Sequence, residues 1–266
     1  MRRRGSTTDS IPSSNMHKTK KFIRIFIAAI LIIPAFILAV IGIGLYWVFT
    51  FLRMKKTAGR VSKGLYYILC CWIVFFLGAR VHVKGRENIP SPEESVVYAP
   101  NHNSLIDVPL FYAVLRRFPA MMAKKELFVV PVIHGCLVSL GCIKIDRKGA
   151  HSIVEAVRSG CRMIEEGHSL VVFPEGTRSK TGEIGAFKNG AFKIAERTGC
   201  PVVPVAIRND RYLLESAHTL GIVDVYITFL PKVETKDLGE EERKNLPSIV
   251  ENAVRTEWKT LPAYTR

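Results

Sequence analysis

The sequence predicts an α/β layer fold: a largely parallel sheet flanked by helices, preceded by an N-terminal membrane-embedded helical hairpin. Three observations carry this. Short β-branched runs alternate with amphipathic helical stretches from about residue 80 onward, two long uncharged runs come before them, and most of the excess positive charge flanks those two runs.

The charge distribution comes first. Residues 1–63 hold twelve Lys or Arg against the single Asp9, so eleven of the fifteen net positive charges lie there and the rest of the chain is nearly balanced. Basic residues that bracket apolar segments, rather than striping a folded surface, argue against nucleic acid as a partner and point to anionic lipid. Residues 1–22 read as a disordered basic tail. From Ile25 to Leu52 no charge occurs, and such a helix would be about 42 Å long against a hydrocarbon layer of about 30 Å. Pro34 should kink it. A second uncharged run, Gly64 to Ala79, would make about 24 Å of helix, too short to cross easily. Cytoplasmic flanks attract Lys and Arg, so basic residues on both sides of the first run favour a hairpin dipped into one leaflet from the cytoplasmic side. Residues 23–79 are assigned to this hairpin and residues 80–266 to the α/β domain.

Within that domain, strand-like runs occur at Val96 to Ala99, Met121 to Ala123, Cys142 to Ile145, Leu170 to Phe173, Val202 to Ile207 and Val225 to Leu230. Ala150, Ile153, Val154, Val157, Cys161 and Ile164 make one face of a helix, with Glu155, Arg158, Arg162 and Glu165 opposite. Ser152 with Glu155 has capping-box spacing, and Gly167 should end the helix. A last helix is expected at about Pro247 to Trp258, packing through Ile249, Val250, Ala253 and Val254. Alternation of this kind places functional sites at the carboxyl ends of the strands.

One such strand end carries Asn101-His102-Asn103-Ser104-Leu105-Ile106-Asp107. Five residues of continuous helix would turn His102 and Asp107 about 140° apart, so the two can meet only if His102 lies in the loop and Asp107 in the first helical turn. Ser104 and Asp107 have capping-box spacing, and a helix cap beside a loop histidine accounts for these seven residues equally well. A second strand end carries Phe173-Pro174-Glu175-Gly176-Thr177-Arg178-Ser179, where an Arg can grip a phosphate bidentately and a Gly lets backbone approach a ligand. Lys124 and Arg147 occupy comparable strand-end positions, and three converging cations would make an anion pocket.

The sequence holds no Gly-x-Ser-x-Gly elbow, no His-Glu-x-x-His and no phosphate-loop lysine. The six cysteines lack metal-ligand spacing, and several sit in apolar runs, as reduced thiols on the cytosolic side would. No metal and no bound cofactor is expected.

Asn-His-Asn-Ser-Leu-Ile-Asp resembles the H-x4-D signature of the glycerolipid acyltransferases. Gly141 to Arg147, Phe173 to Ser179 and Val203 to Ile207 resemble that family's second, third and fourth blocks, in the same order, over about Val81 to Leu230. The 1-acyl-sn-glycerol-3-phosphate acyltransferases are the most similar branch. The resemblance implies His102 as the general base on an acceptor hydroxyl and Asp107 as the carboxylate that orients it. It further implies Lys124, Arg147 and Arg178 at the acceptor phosphate, with Glu175, Gly176 and Thr177 shaping the loop. The expected reaction is acyl transfer from acyl-CoA or acyl carrier protein, as co-substrate, to the sn-2 hydroxyl of lysophosphatidic acid at a membrane, giving phosphatidic acid. Two alternatives stay open: another acceptor (glycerol-3-phosphate, a lyso-amino-lipid or another lysophospholipid), or a non-catalytic membrane protein that binds anionic lipid. Asn103 departs from the residue many members carry there, which leaves the acid/base pair untouched.

Overall fold

A computed structural model describes residues 33–215 and 221–265. The expected basic tail, residues 1–22, and the start of the first apolar run lie outside the described residues. Helix α1 covers Ile33–Phe51 and α2 covers Lys55–Phe76. Between them Arg53 takes a left-handed conformation, φ 60°, which turns the chain back on itself. The second helix is longer than its uncharged run, because Lys55, Lys56, Arg60 and Lys63 belong to it. Ala58, Ser62, Tyr66, Cys70 and Val74 form its buried stripe, spaced four apart, and the cations lie off that stripe. Helical periodicity thus absorbs charges that a count of uncharged residues excludes.

Seven strands form one sheet: β1 Ala79–Lys84, β2 Val97–Pro100, β3 Ala120–Lys124, β4 Ile143–Ile145, β5 Leu170–Val171, β6 Val202–Arg208 and β7 Val223–Phe229. Their spatial order is β1-β7-β6-β2-β5-β3-β4. All neighbours run parallel except β6 and β7, so β1 and β7 form a reversed pair at one side. The expected largely parallel sheet is present. The expected strand ending at Phe173 is shorter, since only Leu170 and Val171 pair, although the Val172 N–H still donates to Tyr98 O at 3.0 Å. Strand β1 was not among the expected strands, and its first residue, Ala79, was assigned to the hairpin. It is an edge strand with alternating exposure, Arg80, His82 and Lys84 outward, and charges of this kind protect an open edge.

Between the strands run α3 Asp107–Leu115, α4 Pro131–Ser139, α5 Ala150–Glu165, α6 Lys193–Thr198 and, at the end, α7 Glu240–Thr260. They cover both faces, and strands buried on both faces read as continuous apolar runs. Val97, Val202 and Ala206 pack toward α5, α6 and α7, whereas Tyr98, Val203, Val205 and Ile207 pack toward α2 and α3. Two expectations about α5 need correction. Its cap is Gly149, not Ser152, whose Oγ instead accepts from the Asp146 N–H at 2.9 Å, and Ile153 and Val154 are exposed at its first turns. Helix α7 starts seven residues earlier than its apolar pattern and carries Pro247 inside it. Ile249, expected to pack, is exposed there; Leu246, Val250 and Val254 form the buried stripe.

Candidate active site

Strand β2 ends at Pro100, and the next residues bend across the carboxyl edge of the sheet. Asn101 fixes that bend: its fully buried amide donates to Ile207 O at 2.9 Å and accepts from the Ile207 N–H at 2.7 Å. His102 therefore sits in a loop and Asp107 opens α3. His102 Nδ1 and Asp107 Oδ2 lie 2.7 Å apart. The same oxygen accepts the backbone N–H groups of Asn103 at 2.9 Å and Ser104 at 3.0 Å. Half of the expected capping box thus forms, with Asp107 reaching back to Ser104; the Ser104 hydroxyl accepts from Ile106 N–H and donates to Glu215 instead. Capping and pairing with His102 are one arrangement rather than rivals.

Three donors hold Asp107 as an acceptor, so Nδ1 carries the imidazole proton and Nε2 keeps its lone pair. Burial pulls His102 down to about 4, against the opposing charge of Glu175, which leaves the ring neutral near pH 7. Phe173 stacks on it at a centroid separation of 4.1 Å. The His102 side chain is 14% exposed while Asp107 is sealed, so only the ring has an edge open to solvent.

Glu175 is 5% exposed, and both its oxygens are engaged by backbone. Oε1 accepts from the His102 N–H at 2.7 Å and Oε2 from the Gly185 N–H at 2.9 Å. Burial raises its carboxyl above the usual range, and these two donors work to lower it. Glu175 thus shapes the loop by bracing it, with its charge turned inward. Gly176 makes the turn with φ 71°, and Gly185 passes so close that an added Cβ would lie 2.9 Å from Glu175 Oε2. Thr177 and Arg178 are exposed at the tip.

The structure brings Arg147, Arg178 and Glu175 close enough to act electrostatically on His102. Arg178 also lies 3.7 Å from Glu215, whose carboxylate accepts from Ser104 Oγ at 2.7 Å and from the Leu105 N–H at 2.9 Å. Lys124 stands at the same sheet edge but is exposed and lies 3.4 Å from Glu126, and it is not among the main charges acting on His102. Sequence reasoning missed Glu215, which ties the His102 loop to Arg178, and Lys188, whose ammonium lies beside Gly176. Both come from distant parts of the chain and have no local motif. A cavity of about 320 Å³ opens at the opposite edge of the sheet, lined by Tyr46, Lys63, Arg117 and His168 among others, and is separate from the His102 loop.

Comparison with known proteins follows this geometry. The sequence pattern of the family described as Acyltransferase matches residues 80–208. A 1-acyl-sn-glycerol-3-phosphate acyltransferase of Borreliella burgdorferi is 30% identical over 190 residues, covering 71% of this chain and 75% of that protein. A chloroplastic enzyme of the same description from Arabidopsis thaliana is 34% identical over 128 residues. That match covers 48% of this chain and 36% of the plant protein, so the chain spans well under half the length of this relative. The crystal structure of the 1-acyl-sn-glycerophosphate acyltransferase from Thermotoga maritima superposes with a TM-score of 0.72 at 28% identity, covering 89% of this chain and 97% of that one.

Proposed function

The chain belongs to the acyltransferase family that contains the 1-acyl-sn-glycerol-3-phosphate acyltransferases, and from that membership we propose that it transfers a fatty acyl group from a thioester donor to the sn-2 hydroxyl of 1-acyl-sn-glycerol-3-phosphate, giving phosphatidic acid. The observation that carries the reading is the 2.7 Å contact between His102 Nδ1 and Asp107 Oδ2 at an accessible strand end.

An alcohol is a poor nucleophile near neutral pH, and a neutral imidazole can take its proton as the oxygen attacks. His102 Nε2 accepts that proton; the new C–O bond forms at the thioester carbonyl, whose π electrons move to oxygen. Asp107 stabilises the imidazolium that results. Collapse of the tetrahedral adduct breaks the C–S bond, and the imidazolium returns its proton to the departing thiolate. Donor, acceptor and enzyme balance with no covalent enzyme intermediate. Arg147 and Arg178 supply the charge that a phosphate monoester two carbons from the hydroxyl requires.

Membrane association fits the substrate. Helices α1 and α2 are long and apolar enough to cross a membrane by length and composition. On α1, Phe36, Ile37, Trp47 and Phe51 are exposed, and α4 with the turn before it adds Leu127, Val129, Val130 and Ile133. We place this apolar side in the cytoplasmic leaflet, with the His102 edge at headgroup height, so that the acceptor arrives from the bilayer and the donor from the cytosol.

Purified full-length protein, assayed with lysophosphatidate, glycerol-3-phosphate and other lysophospholipids against both acyl-CoA and acyl carrier protein donors, tests the proposal. Phosphatidate formation from lysophosphatidate is the expected result. Turnover confined to another acceptor overturns the substrate assignment, and no turnover with any pair overturns the reaction.

A further inference from the structure

The mechanism above uses one oxygen of Asp107. The other, Oδ1, is buried and meets no N–H or O–H donor in the structure. A second carboxyl is close by: the Asp210 side chain lies within hydrogen-bonding reach of Asp107. Asp210 is 0% exposed, and neither of its oxygens has an N–H or hydroxyl partner.

The backbone delivers it there by a specific turn. Strand β6 ends at Arg208, and Asn209 follows with φ 72°, a conformation that Asn tolerates better than most residues. Its amide donates to Asp224 O at 3.0 Å and to Pro262 O at 3.1 Å, which holds the turn from two sides. Asp210 then opens a 3-10 turn, Asp210–Leu213, in which it is buried. Upstream, the Asn101 clamp on Ile207 ties the end of β6 to that same loop.

Two ionised carboxylates facing each other out of water repel strongly, so the pair keeps one proton. The donors decide which carboxyl holds it. Asp107 Oδ2 receives three, from His102, Asn103 and Ser104, all of which favour the anion, whereas Asp210 has no well-formed donor and feels only the weaker pull of its own backbone N–H. We propose that Asp210 is a positioning residue for the acyl transfer, a neutral acid that donates its hydrogen bond to Asp107 Oδ1 and so fixes the carboxylate on which His102 turns. This rests on the reading of His102 and Asp107 as the acid/base pair. Asp210 keeps its proton throughout turnover. Burial and the Asp107 charge both push Asp210 well above the usual carboxylate range; burial raises Asp107 as well, but less far, because Asp210 and the two backbone donors work against it. The other charges facing the cluster are Glu215, at both carboxyls, and Glu175, Arg147 and Arg178, at His102.

The test uses the full-length protein with Asp210→Asn and Asp210→Leu. Asn keeps an N–H donor and cannot ionise; it should rescue, with kcat within about threefold of the parent and an unchanged acid limb of the pH profile. Leu has similar size and no donor. It should lower kcat about tenfold or more at unchanged KM for lysophosphatidate, and shift the acid limb about one pH unit upward, because Asp107 then protonates more easily. Infrared spectra at neutral pH should show the carbonyl stretch of a protonated, buried carboxylic acid in the parent and lose it in Asp210→Asn. An Asp210→Asn protein that melts normally yet is as slow as Asp210→Leu overturns the proposal, as does an Asp210→Leu protein at the parental rate or a parent without the band. If Asp210→Leu does not fold, Asp210→Asn and the infrared band decide. If the parent transfers no acyl group at all, the function reading fails, and the band still decides the protonation of Asp210.

Discussion

Replacing Glu175 by Gln removes one charge and changes one carboxylate oxygen into an amide NH2, with almost no change of shape. Two backbone N–H groups, from His102 at 2.7 Å and Gly185 at 2.9 Å, point at that side chain in a site 5% exposed. The amide can accept from only one of them. The other is left facing an NH2 group, and an orphaned buried donor costs about 1–3 kcal/mol. The bond that remains loses its charge assistance, worth roughly 1 kcal/mol more. A loss of about 2–4 kcal/mol follows, which for a domain of this size lowers Tm by roughly 5–15 °C. Ser179 N–H still donates to His102 O at 2.8 Å, so the loop stays tethered but shifts. A displacement of the base by about 1 Å is enough to cost roughly a hundredfold in rate. Thermal unfolding in detergent and kcat for acyl transfer are the assays. A Glu175→Gln protein that melts within about 1 °C of the parent and turns over within twofold refutes the bracing role.

Three further outcomes are expected. Because burial holds His102 near 4, the base stays neutral well below the range of an exposed histidine. The rate should hold from about pH 8 down to about pH 5 and fall below that, whereas a limb centred at about 6.5 would contradict the buried site. In the same window the unfolded chain takes up a proton on His102 near pH 6.5 that the folded chain refuses until about 4, so this residue's contribution to stability falls as pH drops through that interval. Arg178→Ala should raise KM for lysophosphatidate about ten- to hundredfold with kcat little changed and the melt unchanged, since Glu215 keeps its bonds to Ser104 and Leu105; an unaltered KM would remove Arg178 from the phosphate.

The sheet was legible where strands are buried on both faces, as in Val202 to Ile207, because such strands are apolar throughout. It was not legible at β1, where Arg80, His82 and Lys84 alternate along an edge and the pairing that makes it a strand is with Val223 to Thr228, more than a hundred residues away. Of the site, spacing showed only that His102 and Asp107 can meet across a loop-to-helix junction, and the resemblance to the H-x4-D signature, not the spacing, singled them out as an acid/base pair. Arg178 and Arg147 followed from strand ends. Asp210 and Glu215 could not be read, because each reaches the loop through tertiary folding and its immediate neighbours carry no motif. The capping of α5 was misread for a related reason: Ser152 has the right spacing but spends its hydroxyl on Asp146, at the end of β4.

The central claim is that His102 is the base of an acyl transfer, and His102→Ala tests it most directly. Assayed with lysophosphatidate in mixed micelles and a saturating thioester donor, the variant should lose roughly 10²–10⁴ in kcat while binding anionic vesicles as the parent does. A variant that keeps the parental rate would contradict the account.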